Sequence, residues 1–325
     1  MSVRDYATNT YLRAATSKRA TTYRLLEVHV RRHIVPALGG RQVRAVTRSD
    51  VQTFVNGLSA KGLAPRTVLT VYKTLVAIFN SARLDKRITE SPCVKIELPE
   101  IPDERMEILT VAQVRAVAAA MPEWYRVAVI IAAGTGLRAS EVAALTWDRI
   151  DLGARMLTVD RQIDPKGRLA PPKTKKSRRT VPIPEIVAEA LLAHRAAFPP
   201  VPQDVEHVHG KTVRGAQLVI IRPSGKTVTG NVLTKAFAMA RAAVDLPVVP
   251  TFHGLRHFYA SVQIAAGTSL TALQERMGHS SIKITSDIYG HLLPEEDDRT
   301  RAAIDAAFGD DEDGDDGTAG LLVAA

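Results

Sequence analysis

The sequence predicts a mainly α-helical chain with a small β-sheet, divided into a helical N-terminal domain and an α+β C-terminal domain. At 325 residues the chain is longer than a single hydrophobic core usually serves, which favours two domains. Apolar residues recur at helical spacing in both halves. One stretch, residues 155–184, instead alternates apolar with polar residues about a turn at 165–167, which indicates the sheet.

The first hundred residues carry signals of consecutive helices and no catalytic constellation. Thr47 and Asp50 form a helix-start signal, and Pro65 opens the next helix. Apolar residues then follow at helical spacing: Val68, Val71, Leu75, Ile78 and Phe79. Basic residues and threonines flank these helices and suit phosphate contacts. We therefore predict a helical DNA-binding domain over residues 1–97.

Composition divides the rest of the chain. Residues 98–108 fall in a proline-containing stretch without periodicity and are the predicted linker. We expect the second domain over residues 109–308, with helices at about 184–197 and 229–245. The stretch 199–216 is predicted to be a variable loop without an assigned role. Residues 309–325 are acidic and glycine-rich, which predicts a disordered tail.

Charge favours a nucleic-acid partner. The net charge is +9, but residues 295–316 hold 11 acidic and 2 basic residues, so the rest of the chain has 41 basic and 23 acidic residues. A body this basic favours a polyanion, although basic faces are also often only solvated. The single cysteine, Cys93, excludes a disulfide framework and a cysteine-rich zinc site. Without a membrane-length apolar run or a signal-peptide core, we expect a cytoplasmic protein with no membrane partner.

Two cationic signals begin the C-terminal half. Arg138, in "GLRASE", stands at a helix entrance where backbone N–H groups favour an anion, and Glu141 can orient its guanidinium. The helix is expected to begin at Ala139 and to bury the face formed by residues 141–147. A salt bridge that only holds the turn is the alternative. Lys173, in "PPKTKKSRRTVPIP", stands at a hairpin tip, where a DNA-backbone contact or simple solvation is also possible. Its competitors for any special role are Lys175, Lys176, Arg178 and Arg179.

Three further signals follow. His253 and Arg256, in "HGLRHFYAS", share a helix face and can hold one phosphate, with a plain surface pair as the alternative. We expect His257 to point elsewhere and to be structural. His279 lies at a junction between two helices, where a capping role is the alternative. Tyr289 comes ten residues later, after every other signal.

Together these residue types suit phosphodiester cleavage without a metal. Guanidinium groups stabilise charge on the phosphate oxygens, and a lysine or histidine protonates the leaving oxygen. A tyrosine attacks and keeps the bond energy as an ester. The sequence has no acidic cluster at metal-ligand spacing outside the tail, so we expect neither a metal nor another cofactor.

The chain resembles the tyrosine recombinases, in particular phage-type and mobile-element integrases. The resemblance rests on "GLRASE", "KTKKSRRTVPI", "HGLRHFYAS" and "MGHSSIKITSDIYGHL", which occur in the family's order and at family-like spacing. It covers nearly the whole chain. The family's architecture implies a SAM-like core-binding domain, followed by a tyrosine-recombinase catalytic domain.

The resemblance also implies roles for the cations. Arg138 and Arg256 would clamp the non-bridging oxygens of the scissile phosphate. Lys173 would be the general acid for the 5′-hydroxyl leaving group, because its place before the returning strand matches the family better than that of Lys175.

The remaining implied roles complete the reaction. His253 would assist proton transfer as base toward the tyrosine, and His279 would hydrogen-bond the phosphate. Tyr289 would attack, leaving a 3′-phosphotyrosyl link and a free 5′-hydroxyl. The implied partners are double-stranded DNA attachment sites and three further copies in a homotetramer, with a directionality factor or a host DNA-bending protein as additional partners. The expected location is the nucleoid-associated cytoplasm.

Two other functions are compatible with these residues, namely a type IB topoisomerase and an inactive DNA-binding relative. The two-domain plan and the short interval from Arg256 to Tyr289 favour the recombinase. Many integrases of this type carry an additional N-terminal arm-binding domain, whereas helices begin almost at once here, so that domain is expected to be absent or trimmed. A helix over residues 294–308 is expected to pack on a neighbouring protomer.

Overall fold

The computed structural model describes residues 1–102, 107–172, 174–279, 281–290, 301 and 305. The chain forms two compact units, Met1–Arg105 and Met106–Ala325. Helices dominate and the strands form small antiparallel sheets, so the predicted fold class is confirmed. Lys173, the tail over 309–325 and most of the expected helix over 294–308 lie outside the described residues.

The secondary structure described for the first unit is helical, apart from an isolated β-bridge between Ser2 and Gln42. Its α-helices are α1 (Val3–Asp5), α2 (Leu12–Ala14), α3 (Ala20–His29), α4 (Val35–Leu38), α5 (Arg48–Ala60) and α6 (Pro65–Leu84). π-Helical turns at Tyr6–Tyr11 and Val30–Ile34 join α1 to α2 and α3 to α4. The unit has its own apolar core, to which each of these segments contributes.

The predicted helix starts in this unit are confirmed. The Thr47 hydroxyl caps α5 by accepting from the Asp50 backbone N–H, and the Asp50 carboxylate accepts from the Thr47 backbone N–H in return. Pro65 occupies the first turn of α6. The apolar residues of α6 that the sequence predicted to share a face are all buried. Local capping and periodicity therefore determine these two helices.

The second unit combines helices with three small sheets. Its helices are α7 (Val111–Ala120), α8 (Glu123–Thr135), α9 (Ala139–Val142), α10 (Glu185–Ala197), α11 (Gly230–Ala243), α12 (Gly254–Ala265), α13 (Leu270–Met277) and α14 (Ile282–Tyr289). Its strands are β1 (Ile150–Asp151), β2 (Met156–Val159), β3 (Gln162–Ile163), β4 (Leu169–Ala170), β5 (Arg179–Pro182), β6 (Gln203–Glu206) and β7 (Thr212–Ala216).

All strand pairing within these sheets is antiparallel. β2 is central in the order β1–β2–β5, and Leu157 pairs with Val181 in the middle of the β2–β5 ladder. β3 pairs with β4 across the turn that the sequence predicted at 165–167. The segment between β4 and β5 contains Lys173, Lys175, Lys176 and Arg178, so strands of two different sheets border this basic stretch.

Two expectations about this unit were wrong in detail. The stretch 199–216 is not a featureless loop, because β6 and β7 pair within it as a hairpin. The helix expected to continue from Ala139 through Trp147 ends at Val142, and a 3₁₀ turn begins at Trp147. The apolar residues after Val142 are nevertheless buried, which explains why the sequence pattern resembled the buried face of one continuous helix.

Helix α8 is the main support of the site described below. It is buried along most of its length and packs against α7, α10 and α12. It ends at Gly136, whose left-handed φ of +67° turns the chain toward Arg138. A side chain at Gly136 would collide with the Tyr259 ring of α12, so this glycine also permits close approach of the two elements. No helix among the described residues is long and apolar enough to cross a bilayer.

Candidate active site

Arg138 lies at the entrance of α9, as the sequence predicted, and Glu141 orients it. The Arg138 Nη1 atom donates to Glu141 Oε1 at 2.9 Å, and the Arg138 backbone N–H donates to Oε2 at 2.9 Å. About a third of the Arg138 side chain is exposed (32%), whereas that of Glu141 is buried. The buried Glu141 carboxylate thus holds the Arg138 guanidinium, which an anion can still reach from solvent.

Glu141 also binds Arg179, the first residue of β5. Arg179 Nη2 lies 3.0 Å from Glu141 Oε2, and both side chains are almost fully buried. Burial opposes ionisation of Glu141, but the charges and hydrogen bonds of Arg179 and Arg138 outweigh it and lower the pKa of Glu141 to about 2. Glu141 is therefore an anion in the folded protein, and it links the α9 entrance to the sheet.

Arg256, on the first turn of α12, is the most deeply buried cation of the site, with 1% of its surface exposed. Its Nη1 donates to the Gly136 carbonyl and its Nη2 to the Met277 carbonyl, each at 2.5 Å. Burial and the charge of Arg138 lower the pKa of Arg256 to about 9, so the guanidinium stays protonated at neutral pH. Each terminal nitrogen carries two hydrogens, so one on each remains after these bonds for a further acceptor.

Three arginines meet the carboxyl end of α13. The carbonyls there are those of Arg276 and Met277, which end α13, and of Gly278, its C-cap residue. Arg179 Nε donates to the first at 2.6 Å, Arg256 Nη2 to the second, and Arg138 Nη2 to the third at 3.4 Å. These carbonyls lack partners within their own helix and form its negative end, so cations suit them. The contact brings Arg138 and Arg256 together and places both beside His279.

The two predicted histidines occupy different environments. His279 is buried, its Nδ1 lies 2.9 Å from the Thr285 hydroxyl, and burial together with Arg256 and Arg138 lowers its pKa to about 3. His253 stands at the N-terminal boundary of α12 and is exposed at its surface. Partial burial of the ring, followed by the charges of Arg256 and Arg138, lowers the pKa of His253 as well. Both rings are therefore neutral at pH 7.

Tyr289 ends α14 and is buried, with 1% of its surface exposed. Its ring packs in a small apolar cluster made by α12, α13 and α14. Burial raises the pKa of Tyr289 to about 12, although the charges of Arg256 and Arg138 act in the opposite direction. The hydroxyl lies 2.7 Å from Nδ1 of His257, a residue on α12.

The structure thus gathers Arg138, Arg256, His279 and Tyr289 around the α13–α14 junction, with His253 at its rim. Lys173 lies outside the described residues, between Pro172 and Thr174. Among the described residues, no cluster of three or more histidine, cysteine, aspartate or glutamate side chains could hold a metal ion. Two guanidiniums, neutral imidazoles and a phenol can together bind and attack a phosphodiester.

Sequence reasoning missed two residues of this site. Arg179 was only one of several bases in the run after Lys173, and nothing local marks it as the partner of Glu141. His257 was expected to be structural, yet it contacts the Tyr289 hydroxyl. The sequence did contain an indication for His257. It follows His253 by four positions, and residues four apart on a helix are neighbours, which places it beside a predicted site residue.

Comparisons with known proteins identify the family of this chain. The family model described as the phage integrase family matches residues 106–296. An integrase of Mycobacterium phage FRAT1 is 30% identical over 262 residues, which cover 79% of this chain and 74% of that protein. A tyrosine recombinase XerC-like protein of Caldanaerobacter subterraneus subsp. tengcongensis is 28% identical over 300 residues, which cover 86% and 76% respectively.

Solved structures show the same fold. The Tn1549 transposon integrase in complex with transposon right end DNA matches with a TM-score of 0.79 at 25% identity, covering 94% of this chain and 99% of that one. A lambda integrase tetramer bound to a Holliday junction matches with a TM-score of 0.70 at 18% identity, covering 89% and 77%. The resemblance that the motifs indicated is confirmed: the chain belongs to the phage integrase family of tyrosine recombinases, enzymes that cleave and rejoin DNA strands.

Proposed function

We propose that this chain is a site-specific integrase that cuts DNA by forming a 3′-phosphotyrosine link through Tyr289, and that it integrates or excises a phage or another mobile element. The observation that carries the proposal is the burial of one tyrosine beside two arginines that come from distant parts of the chain. A phenol of raised pKa needs strong stabilisation of the phosphate charge to react, and the two guanidiniums supply it.

In the proposed reaction, Tyr289 Oη forms a bond to phosphorus while the bond from phosphorus to the 5′-oxygen breaks. Arg138 and Arg256 neutralise the non-bridging oxygens, and His279 donates a hydrogen bond to one of them through Nε2. The bond of His279 Nδ1 to Thr285 supports this orientation. Lys173 protonates the 5′-oxygen as it leaves, and His253 assists proton transfer.

The second half of the reaction reverses the first. A 5′-hydroxyl of the partner duplex attacks the phosphotyrosine and releases Tyr289, so one phosphodiester replaces another. Because the ester keeps the bond energy, the cycle needs neither ATP nor a metal. We propose that residues 1–97 bind DNA, that 98–108 link the domains and that 109–308 catalyse the reaction.

The proposed partners are double-stranded attachment sites and three other copies of the chain, in the nucleoid-associated cytoplasm. A directionality factor or a host DNA-bending protein completes the set. The tetramer is supported by the likeness to lambda integrase, whose structure was solved as a tetramer on a Holliday junction. DNA binding is supported by the net charge of the chain and by the DNA-bound integrases of the same fold.

The experiment that tests this function does not require the target DNA sequence to be specified in advance. The protein is expressed in cells that carry its native DNA, the cells are lysed in SDS, and DNA that stays covalently bound is sequenced. We expect adducts at one locus with the wild type and none with Tyr289→Phe. Adducts scattered along the genome would indicate topoisomerase activity instead, and DNA binding without any adduct would indicate an inactive relative.

A further inference from the structure

The contact between Tyr289 and His257 is the part of the site to which no role has been given. Tyr289 Oη and His257 Nδ1 are 2.7 Å apart, and the two ring centroids are 5.6 Å apart. The two residues lie 32 positions apart in the chain and on different helices, α14 and α12. Packing of the tyrosine ring in its apolar cluster fixes the hydroxyl against this one nitrogen.

The protonation states leave two directions for this hydrogen bond, and the tautomer of His257 decides between them. Burial, together with His253 and Arg256, lowers the pKa of His257 to about 4, so its ring is neutral at pH 7. The pKa of Tyr289, raised to about 12 by burial, keeps the phenol protonated. A neutral imidazole has one donor and one acceptor nitrogen. With Nδ1 as the acceptor, the phenol proton points at His257, and the oxygen lone pairs are left for an electrophile.

We propose that His257 is the catalytic base for Tyr289: its Nδ1 orients the phenol and takes the proton as the Oη–phosphorus bond forms. This inference rests on the proposed function. The O–H bond breaks, its proton moves to Nδ1, the P–Oη bond forms, and the P–O5′ bond breaks with a proton supplied by Lys173. In rejoining, the imidazolium returns its proton to the departing Tyr289 oxygen.

The timing of the transfer follows from the acidities. Before attack the proton stays on Tyr289, because a phenol holds it far more strongly than this imidazole does. Once the oxygen shares an electron pair with phosphorus it becomes strongly acidic, and a base already within hydrogen-bonding distance accepts the proton. The positive charge that forms on His257 lies beside the incoming phosphate anion, which offsets the repulsion from Arg256.

His253, the residue that the family resemblance points to as base, is less well placed in this chain. Its ring is in edge contact with His257, at a centroid distance of 4.8 Å and an interplanar angle of 90°. The hydrogen-bond partner of the tyrosine hydroxyl is His257. His253 therefore acts on the phosphate or through His257, and His257 acts on the nucleophile.

The kinetic test uses a nicked suicide duplex that carries the locus recovered in the covalent-adduct experiment. The rate of SDS-resistant adduct formation is measured in single turnover for the wild type, His257→Asn, His257→Ala and Tyr289→Phe, with the exposed His209→Asn as a matched control. Asparagine keeps an acceptor near the position of Nδ1 but is not basic. We expect His257→Asn to be slower by roughly 10²-fold or more, with duplex binding and His209→Asn unchanged.

A 5′-bridging phosphorothiolate in the same duplex distinguishes loss of the general base from loss of the general acid. A sulfur leaving group departs without protonation. This substrate should therefore restore the cleavage rate of Lys173→Ala and should not restore that of His257→Asn. Rescue of His257→Asn would overturn the proposal, and so would an Asn variant within about threefold of the wild type, since general-base loss costs ~10²-fold or more. A His257→Asn rate that close to the wild type would mean that His257 only positions or packs the Tyr289 ring.

A measurement without DNA tests the hydrogen bond itself. Nitrogen-15 NMR of histidine-labelled protein reports which ring nitrogen of His257 carries the proton. We expect the Nε2–H tautomer, with an Nδ1 signal that shifts in Tyr289→Phe. An Nδ1–H tautomer would overturn the proposal even if the enzyme is active. If the wild type forms no adduct while this tautomer is present, the proposed function fails, and the catalytic role of His257 fails with it.

Discussion

Replacement of Glu141 by glutamine is the perturbation whose effect follows most directly from the structure. The carboxylate is 3% exposed and lies between two guanidiniums, that of the 5% exposed Arg179 and that of the partly exposed Arg138. Glutamine keeps the shape and one acceptor oxygen. It removes the negative charge and turns an NH₂ group toward an arginine, so Arg179 is left as a buried cation without a counter-charge.

Two independent estimates give the size of the effect. Removing one partner from a buried ion pair costs about 3–5 kcal/mol. The pKa of Glu141 falls from an ordinary 4.5 to about 2 in the folded protein, which corresponds to about 3 kcal/mol of stabilisation of the ionised form. For a unit of this size each kcal/mol lowers the unfolding temperature by about 2–4 °C. We expect a decrease of roughly 6–20 °C at pH 7.

The assay is thermal unfolding of the intact chain, followed by circular dichroism or calorimetry over a range of pH. Because the pKa of Glu141 is lower in the folded state, the stabilisation is complete above pH 4.5 and is lost as the pH falls toward 2. The difference between wild type and Glu141→Gln should shrink over that range.

A matched control is available in the same unit. Glu185→Gln removes an exposed ion pair with Arg155, in which the side chains are 67% and 55% exposed, and it should cost no more than about 1 kcal/mol. Equal unfolding temperatures for wild type and Glu141→Gln at pH 7 would refute the reasoning. They would mean that water or rearranged arginines compensate for the lost carboxylate.

Two further predictions concern the α13–α14 junction. Gly278→Ala should destabilise the unit by at least about 1 kcal/mol more than Gly225→Ala in chemical denaturation. Both positions have a left-handed φ, but an added Cβ at Gly278 would lie 3.1 Å from Arg179 Nη1, whereas at Gly225 it meets nothing within 4 Å. Equal losses would count against a tight junction. His279→Asn should lessen the acid sensitivity of folding: because the pKa of His279 is lowered when folded, the wild type loses about 1–2 kcal/mol between pH 6.5 and 5 as the unfolded chain binds the proton. The control, His209→Asn, should keep that pH slope, and an unchanged slope in His279→Asn would contradict the buried neutral ring.

Much of the fold could be predicted because its signals are local. The capping pair Thr47–Asp50, the proline at the start of α6 and the glycine after α13 each act within one helical turn. The β6–β7 hairpin escaped prediction for a physical reason. Its strands expose most of their residues, so the apolar alternation that marks a strand is weak, and pairing across the turn determines the structure.

The site could be predicted only where its contacts are local or where the family resemblance supplied them. The Arg138–Glu141 pair spans three positions, and the sequence suggested it directly. The Glu141–Arg179 pair spans 38 positions, and the neighbouring Arg178 has the same chemistry at sequence level. The His257–Tyr289 contact spans 32 positions and depends on how α12 packs against α14. Tertiary packing alone distinguishes these residues from their neighbours.

In the proposed reaction, the arginines link folding of this chain to phosphate binding. Arg138, Arg179 and Arg256 each donate to a carbonyl at the end of α13, so they stabilise the turn that leads to His279 and Tyr289. The same bonds fix Arg138 and Arg256 before any phosphate arrives. A cation that is already held by helix carbonyls needs little rearrangement when charge develops on the phosphate, and such preorganisation is the main source of electrostatic catalysis. A variant of either arginine should therefore change the junction as well as the reaction, whereas His257→Asn and Tyr289→Phe change the reacting atoms and leave these carbonyl contacts in place.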